Sequence, residues 1–430
     1  MNHPRFILIV AFIIGLCGNS AAYPIDGYSL TKIRRLLRLE WMQKGEIQEP
    51  LQLPAGSLLS VEDIQLSLIC TSKGDSMDVL PDIDPEFQKA LDRLFPNLHE
   101  SYSVAILDIT PGRATRYAKR QEMRGFQPGS VGKLAVITSL FTELDKLFPN
   151  DLESAQELLR TKMVTGRNWA VFDEHTVPFF DPETKKFFKR PVNEKDVFSL
   201  YEWADHMLSV SNNGAASVVW REAILMRVFG ECYIEMNEEE ADHFFKYTPK
   251  SQLSDLAVSV VNDPLRKLGI TQDEWRLGQL FTRGATAYIP GKGGSLGTPN
   301  GLMKWMVALE RGLVINPESS LEIKRLMYMT DRRIRYASNR KLADAAVYFK
   351  SGSLYKCDRN TMPNCGKYQG NVENYMNSVA IVEHPDGTTY LVALMSNVLR
   401  RNSNNDHSAL AANIDDLVRV APPVKAPPGN

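Results

Sequence analysis

Strand-like segments stand at both ends of this chain, and helical pattern fills the long stretch between them. Residues 101–109 and 113–120 flank the turn Thr110-Pro111-Gly112 and read as a hairpin. Far downstream, residues 344–354, 377–385 and 388–397 read as strands, the last two joined by the turn Pro385-Asp386-Gly387. Residues 145–340 carry mostly helical pattern broken by loops. Helical pattern also marks 84–95, opened by Asp84 and Pro85, the stretch from Gly129 onward, and 407–420. Strands so far apart in sequence must share one sheet to bury their apolar faces. The expected fold is therefore α+β: a mixed antiparallel sheet flanked by helices, with a helical lobe inserted at about 145–340.

The ends of the chain follow other rules. Arg5, an apolar run over residues 6–17 and the small residues Ser20, Ala21 and Ala22 read as a signal peptide covering residues 1–22. The run is too short to span a bilayer. Leu16 is a poor neighbour for lipidation of Cys17, so cleaved export to the periplasm or beyond is expected. Residues 23–82 form an N-terminal extension, in which Ile33, Leu36, Leu37 and Leu39 recur at helical spacing among basic residues. A helix packed on the main domain (83–420) is the expected reading, and the Pro-rich residues 421–430 read as a disordered tail. A net charge of −1 leaves no basic excess for nucleic acid. Export would leave four cysteines in an oxidising compartment. Cys357 and Cys365 lie in a turn-rich stretch suited to a clip, and Cys70 with Cys232 follow by elimination. The seven histidines show no ligand spacing, so neither metal nor cofactor is expected.

Three short motifs could carry chemistry. In Ser130-Val131-Gly132-Lys133 the serine and lysine are three apart, so on a helix they share a face. Pro128-Gly129 would put Ser130 at a helix N-terminus, where backbone N–H groups favour a developing oxyanion. A lysine of depressed pKa can take the serine proton. Ser211-Asn212-Asn213 could aim a hydroxyl and an amide into a cleft, or cap the helix that follows. Lys350-Ser351-Gly352 sits in a strand pattern, where a glycine often marks close approach of a ligand or backbone. The N–H of Ser353 could then meet a substrate carbonyl. Each motif alone is common.

Taken in order, they resemble the signature of the serine β-lactamases and penicillin-binding proteins. The flanks around Ser130, Ser211, Thr298-Pro299 and Lys350 are similar to those of class A β-lactamases, over roughly residues 83–420. The resemblance implies a β-lactamase/transpeptidase-like fold and a serine hydrolase acting on a β-lactam, or on a D-Ala-D-Ala-type bond of a peptidoglycan peptide. It implies Ser130 as acylated nucleophile and Lys133 as proton shuttle. Ser211 would pass a proton to the leaving nitrogen and Asn213 would orient the acyl side chain. Lys350, Ser351 and Gly352 would hold the substrate carboxylate, and the N–H groups of Ser130 and Ser353 would form the oxyanion hole.

The sequence departs from class A in one respect. The deacylating glutamate of an E-x-x-L-N loop is missing, and Glu274 beside Trp275 is only a loose substitute. An apparent insertion near 230–256 carries the acidic run Glu238-Glu239-Glu240, read as a solvated surface. Without the glutamate a β-lactam acyl-enzyme would hydrolyse slowly, as in a D,D-peptidase. A binding protein that keeps the fold without turnover is the non-enzyme alternative. Gly293-Gly294-Ser295-Leu296-Gly297 also fits G-x-S-x-G, with residues 285–290 mimicking the preceding strand of a nucleophile elbow. Residues 145–280 lack the βαβ units that reading needs, so a Gly-rich loop is expected there.

Overall fold

The computed structural model describes residues 23–330 and 332–420; the expected signal peptide and tail lie outside them. One sheet organises the molecule. Its strands are β1 (Ser103–Asp108), β2 (Arg116–Arg120), β3 (Ala346–Lys356), β4 (Glu373–Glu383) and β5 (Thr389–Asn397), in the order β2-β1-β5-β4-β3. Every pairing is antiparallel, and β1 at the head of the chain meets β5 near its end, with Ala105 opposite Ala393 and Leu107 opposite Leu391.

Side chains alternate across a strand, so β1 serves two cores. Val104 and Ile106 face one cluster, and Ala105 and Leu107 the other. Because both faces are covered, the strands read as apolar runs rather than strict alternation.

The helices that matter to the site are α1 (Arg34–Gln43), α2 (Pro85–Asp92), α3 (Lys133–Leu147), α4 (Leu200–Leu208), α5 (Asn213–Phe229), α6 (Pro299–Glu310), α7 (Pro317–Met327) and α8 (Asn404–Arg419). Helices α2 and α8 cover the first face through Phe87, Leu91, Leu410, Ala411, Ile414 and Val418. Asp84 caps α2 by accepting from the Phe87 N–H at 2.8 Å, with Pro85 in the first turn. The second face carries the larger core and the helical lobe. Its centre is α3, buried from Lys133 to Leu144 with no solvent face along that stretch.

Segment 23–82 runs along the domain as a strap. The backbone N–H of Tyr23 donates to Tyr328 O at 3.1 Å, and that of Leu68 to Glu310 O at 3.1 Å. Between them α1 docks on α4, with Arg34 bound to Glu202 at 2.8 and 2.9 Å and Arg35 paired with Asp205.

Three details differ from expectation. The lobe contains a hairpin, Thr176–Asp181 with Lys186–Pro191, which the helical reading missed. Residues Arg283–Tyr288, which mimic a strand in sequence, are helical, so the strand leading into a nucleophile elbow is missing, in line with the Gly-rich loop expected there. Cys357 and Cys365 are bonded, but Cys70 and Cys232 are free. Cys70 lies on the strap beside α6, whereas Cys232 opens a short helix just after α5 in the lobe, so pairing by elimination fails. The acidic run is also not uniform: Glu238 accepts from Arg221 and from the Thr165 N–H at 2.9 Å, while Glu240 closes a capping box with Asn237.

Candidate active site

Ser130 sits in a tight 3-10 turn, Gly129–Gly132, that leads directly into α3. The turn is gripped by the sheet. Asn377 of β4 donates from Nδ2 to Gln127 O at 2.9 Å and to Pro128 O at 3.1 Å. Strand β3, the sheet edge, presses on it at Gly352, where any Cβ would collide with the Pro128 carbonyl oxygen and approach the Ser130 nitrogen at 3.0 Å. Gly129 faces the Ser353 nitrogen in the same way, in a left-handed conformation (φ 53°) that suits glycine. The backbone nitrogens of Ser130 and Ser353 thus lie on the two sides of one close contact.

Lys133 points back along α3 towards Ser130, fully enclosed. Its Nζ lies 3.0 Å from Ser130 Oγ, 2.5 Å from Ser211 O, 2.8 Å from Asn213 Oδ1 and 3.3 Å from Ser211 Oγ. Burial pushes its pKa down to about 7, and the nearby negative charge of Asp173 opposes this only in part. In the neutral form the amine has two N–H groups and one lone pair. Ser211 O and Asn213 Oδ1 can take the two protons, which leaves the lone pair for the Ser130 hydroxyl.

Ser211 adopts a left-handed backbone (φ 61°) just before α5, and Asn212 caps that helix by accepting from the Ala215 N–H at 2.7 Å. The cap and the cleft-facing roles therefore coexist. Lys350 reaches from β3 to Ser211 Oγ at 2.7 Å. Its pKa is pushed well below the ordinary lysine value, first by burial and then by the positive charges of Lys133 and Arg335. Ser351 and Ser353 line the same recess. The structure thus brings Ser130, Lys133, Ser211, Asn213, Lys350, Ser351, Gly352 and Ser353 together.

It does not bring Glu274 with them. That carboxylate accepts from the Thr271 N–H at 2.8 Å, Asn300 Nδ2 at 2.7 Å and Lys304 Nζ at 2.6 Å, holding a loop onto α6. The side chain facing Lys133 is Phe281, its ring centroid 5.2 Å from Nζ.

Several participants escaped the sequence reading. Asp173 accepts from the Asn213 N–H at 2.6 Å and from Asn213 Nδ2 at 3.2 Å, and contacts His175 Nδ1 at 2.6 Å. Burial raises its pKa, but the His175 and Asn213 bonds and the Lys133 charge pull it below the usual value. Arg335 donates to Gly352 O at 2.9 Å and Ser353 Oγ at 3.0 Å, tying a loop to β3. Asp173 stands on a loop and Arg335 opens a single 3-10 turn, so neither shows periodicity, and no motif flags them.

No curated protein sequence matches the chain significantly. Among solved structures, a β-lactamase from Sphaerobacter thermophilus is 14% identical, covering 79% of this chain and 100% of its own, with a TM-score of 0.47. One from Chitinophaga pinensis is 13% identical over 77% of this chain and 98% of its own, TM-score 0.48. The structure of PBP-A is 12% identical over 79% of this chain and 100% of its own, TM-score 0.45. The sequence model described as the β-lactamase enzyme family matches residues 86–418, which span both the sheet and the helical lobe. This chain belongs to the β-lactamase enzyme family.

Proposed function

We propose that the chain is an exported, class A-like serine enzyme that a β-lactam or related amide acylates at Ser130, and that hydrolysis of the acyl-enzyme is the slow step. One observation carries the reading: a fully enclosed lysine amine with a pKa of about 7 lies 3.0 Å from a serine hydroxyl. Ser130 Oγ attacks the substrate carbonyl as its proton passes to Lys133. The oxyanion meets the N–H groups of Ser130 and Ser353. On collapse the C–N bond breaks, and Ser211 delivers a proton to the departing nitrogen, refilled through Lys133 or Lys350. The substrate carboxylate rests on Lys350, Ser351, Ser353 and Arg335.

Phe281 supports slow release. A general base must reach the hydrolytic water within hydrogen-bond distance, but an aromatic ring packs on the Lys133 amine, and the carboxylate whose charge reaches it, Asp173, is already engaged by Asn213 and His175. This favours the penicillin-binding, D,D-peptidase-like reading of turnover over rapid β-lactam hydrolysis. The Cys357–Cys365 disulfide suits an exported chain.

The test is incubation of the purified protein with a fluorescent penicillin. A label that survives denaturation is expected on the wild type and absent from Ser130→Ala and Lys133→Ala. Equal labelling of Ser130→Ala would refute the nucleophile assignment, and no labelling of the wild type would favour the inactive binding protein. Intact-mass measurement then follows the adduct, which is expected to persist for many minutes.

A further inference from the structure

The cleft is most basic at its narrow end. Ser130 borders two connected spaces. The wider, about 740 Å³, is of mixed charge, with Asp173, Glu174, Arg283 and Lys367 on its wall. The narrower, about 110 Å³, is lined by Arg332, Arg335, Lys350 and Lys367, and among the described residues no carboxylate lines it. Ser211 and Lys350, the proton donor and its neighbour, also line the narrow end, so this end receives the leaving fragment.

One substrate carboxylate satisfies Lys350 and Arg335, which are enclosed in the wall with only 2% and 6% of their surface exposed. Arg332 and Lys367 are then left over. Both are solvent-exposed, and neither forms an ion pair with a described residue. Lys367 does not reach the cleft by accident of a floppy tip. It stands two residues beyond Cys365, whose bond to Cys357 just past the end of β3 closes the loop before it. Next to it, Tyr368 takes a left-handed backbone (φ 60°) and packs its ring edge-on to Tyr355 at 5.8 Å and against the Arg335 guanidinium at 5.3 Å. Arg335 in turn holds Gly352 and Ser353. This segment is thus pinned to the strand that binds substrate, with its lysine over the recess.

We infer that this recess takes substrates whose leaving fragment carries two anionic groups, the first on Lys350 and Arg335 and the second between Arg332 and Lys367. The inference rests on Ser130 being the acylated residue. A second anion meets the two exposed cations that the first carboxylate does not reach, and a fragment with a single carboxylate leaves Arg332 and Lys367 without an anionic partner. A contact to an exposed cation is worth up to about 1 kcal/mol, or about fivefold. Screening by salt should erode it.

The experiment uses two thioesters with the same N-acylated amino-acid acyl part, one releasing mercaptoacetate and the other mercaptosuccinate. In each, Ser130 Oγ forms the new ester bond, the C–S bond breaks and the thiol leaves, so free thiol reports turnover. The ratio of kcat/KM values is the readout. At low ionic strength the mercaptosuccinate ester is expected to be preferred by about 5- to 25-fold, falling in high salt. In Arg332→Gln/Lys367→Gln the ratio is expected to drop to about one. In Cys357→Ser/Cys365→Ser, which frees the loop but keeps every charge, it is expected to fall part of the way. A wild-type ratio near one, a ratio unchanged in the double glutamine variant, or no cleavage of either ester by a chain that takes the penicillin label overturns the inference. Failure to take the penicillin label at Ser130 instead sinks the acylation reading on which it stands.

Discussion

At the scale of single residues the chemistry turns on what surrounds one amine. Desolvation disfavours the charged form of Lys133, so its neutral, basic form prevails above about pH 7. Acylation of Ser130 is therefore expected to rise with pH through a midpoint near 7 and then level off. At one unit below the midpoint only about a tenth of the amine is neutral, so the rate falls about tenfold. Stopped-flow labelling with a fluorescent penicillin between pH 5.5 and 9 checks this, and a flat profile would remove Lys133 as the base. The second half-reaction has its own residue test. Phe281→Glu places a carboxylate against Lys133, where general-base help is worth about 10²- to 10⁴-fold. The lifetime of the penicilloyl adduct, followed by intact mass, is expected to shorten at least tenfold. No shortening would mean that the ring is not what limits release. The Ser130–Lys133 relation was legible because helical spacing is a local rule. Asp173, Arg335 and Asn377 were not, since each acts through a contact made only when distant loops and strands meet.

Elements set the spacing that these residues exploit. The edge strand β3 and the turn Gly129–Gly132 touch backbone to backbone, and Gly352 is the point of contact. Gly352→Ala forces the two apart, since the Pro128 carbonyl is rigid backbone and cannot swing aside. A displacement of about 1 Å at reacting groups costs about 10²-fold in rate. Acylation is expected to fall by at least that factor while far-ultraviolet circular dichroism stays native, because the rest of β3 keeps its ladder with β4. Wild-type rates in a folded Gly352→Ala protein would show that the contact does not position the nucleophile. Strands of this sheet were readable from sequence because burial on both faces demands unbroken apolar runs, as in Val104 to Leu107. The hairpin Thr176–Asp181 with Lys186–Pro191 was not readable, since half its second strand is solvated and its turn is polar. A helix-rich neighbourhood then outweighed a weak strand pattern. Arg283–Tyr288 mimics a strand in sequence for a related reason: six residues make under two turns, too short to show helical period.

For the whole molecule, the question is whether the sheet and lobe could stand without the strap. The family match begins at residue 86, which invites the idea that everything before it is an accessory. The packing argues otherwise. Tyr23, Ile33, Leu36, Ile64, Leu68 and Met77 belong to the same apolar cluster as α3, α5 and α6, all essentially enclosed. Burying one such side chain is worth about 1.5–3 kcal/mol, so together they exceed the net stability of a typical domain of about 5–15 kcal/mol or consume most of it. Polar closure points the same way. Lys324 of α7 is wholly enclosed and bonded to Glu310 Oε1 at 2.7 Å, Glu383 Oε1 at 2.6 Å and the strap carbonyl of Gln65 at 2.6 Å. The strap also gives Glu310 the Ser67 N–H at 2.6 Å. Without the strap that charge cluster loses the Gln65 carbonyl and both Ser67 contacts, and each buried polar group left unsatisfied costs about 1–3 kcal/mol. The sheet edge is involved as well, because Tyr348 of β3 donates to Glu383 Oε2 at 3.0 Å, two residues from Lys350. A chain beginning at residue 83 is therefore expected to lack cooperative unfolding and to take no penicillin label, even though it retains Ser130, Lys133, Ser211 and Lys350. Urea denaturation followed by tryptophan fluorescence, run beside the labelling assay, decides the matter. A shortened chain that unfolds cooperatively and labels at the wild-type rate would make the strap a dispensable addition to a complete enzyme.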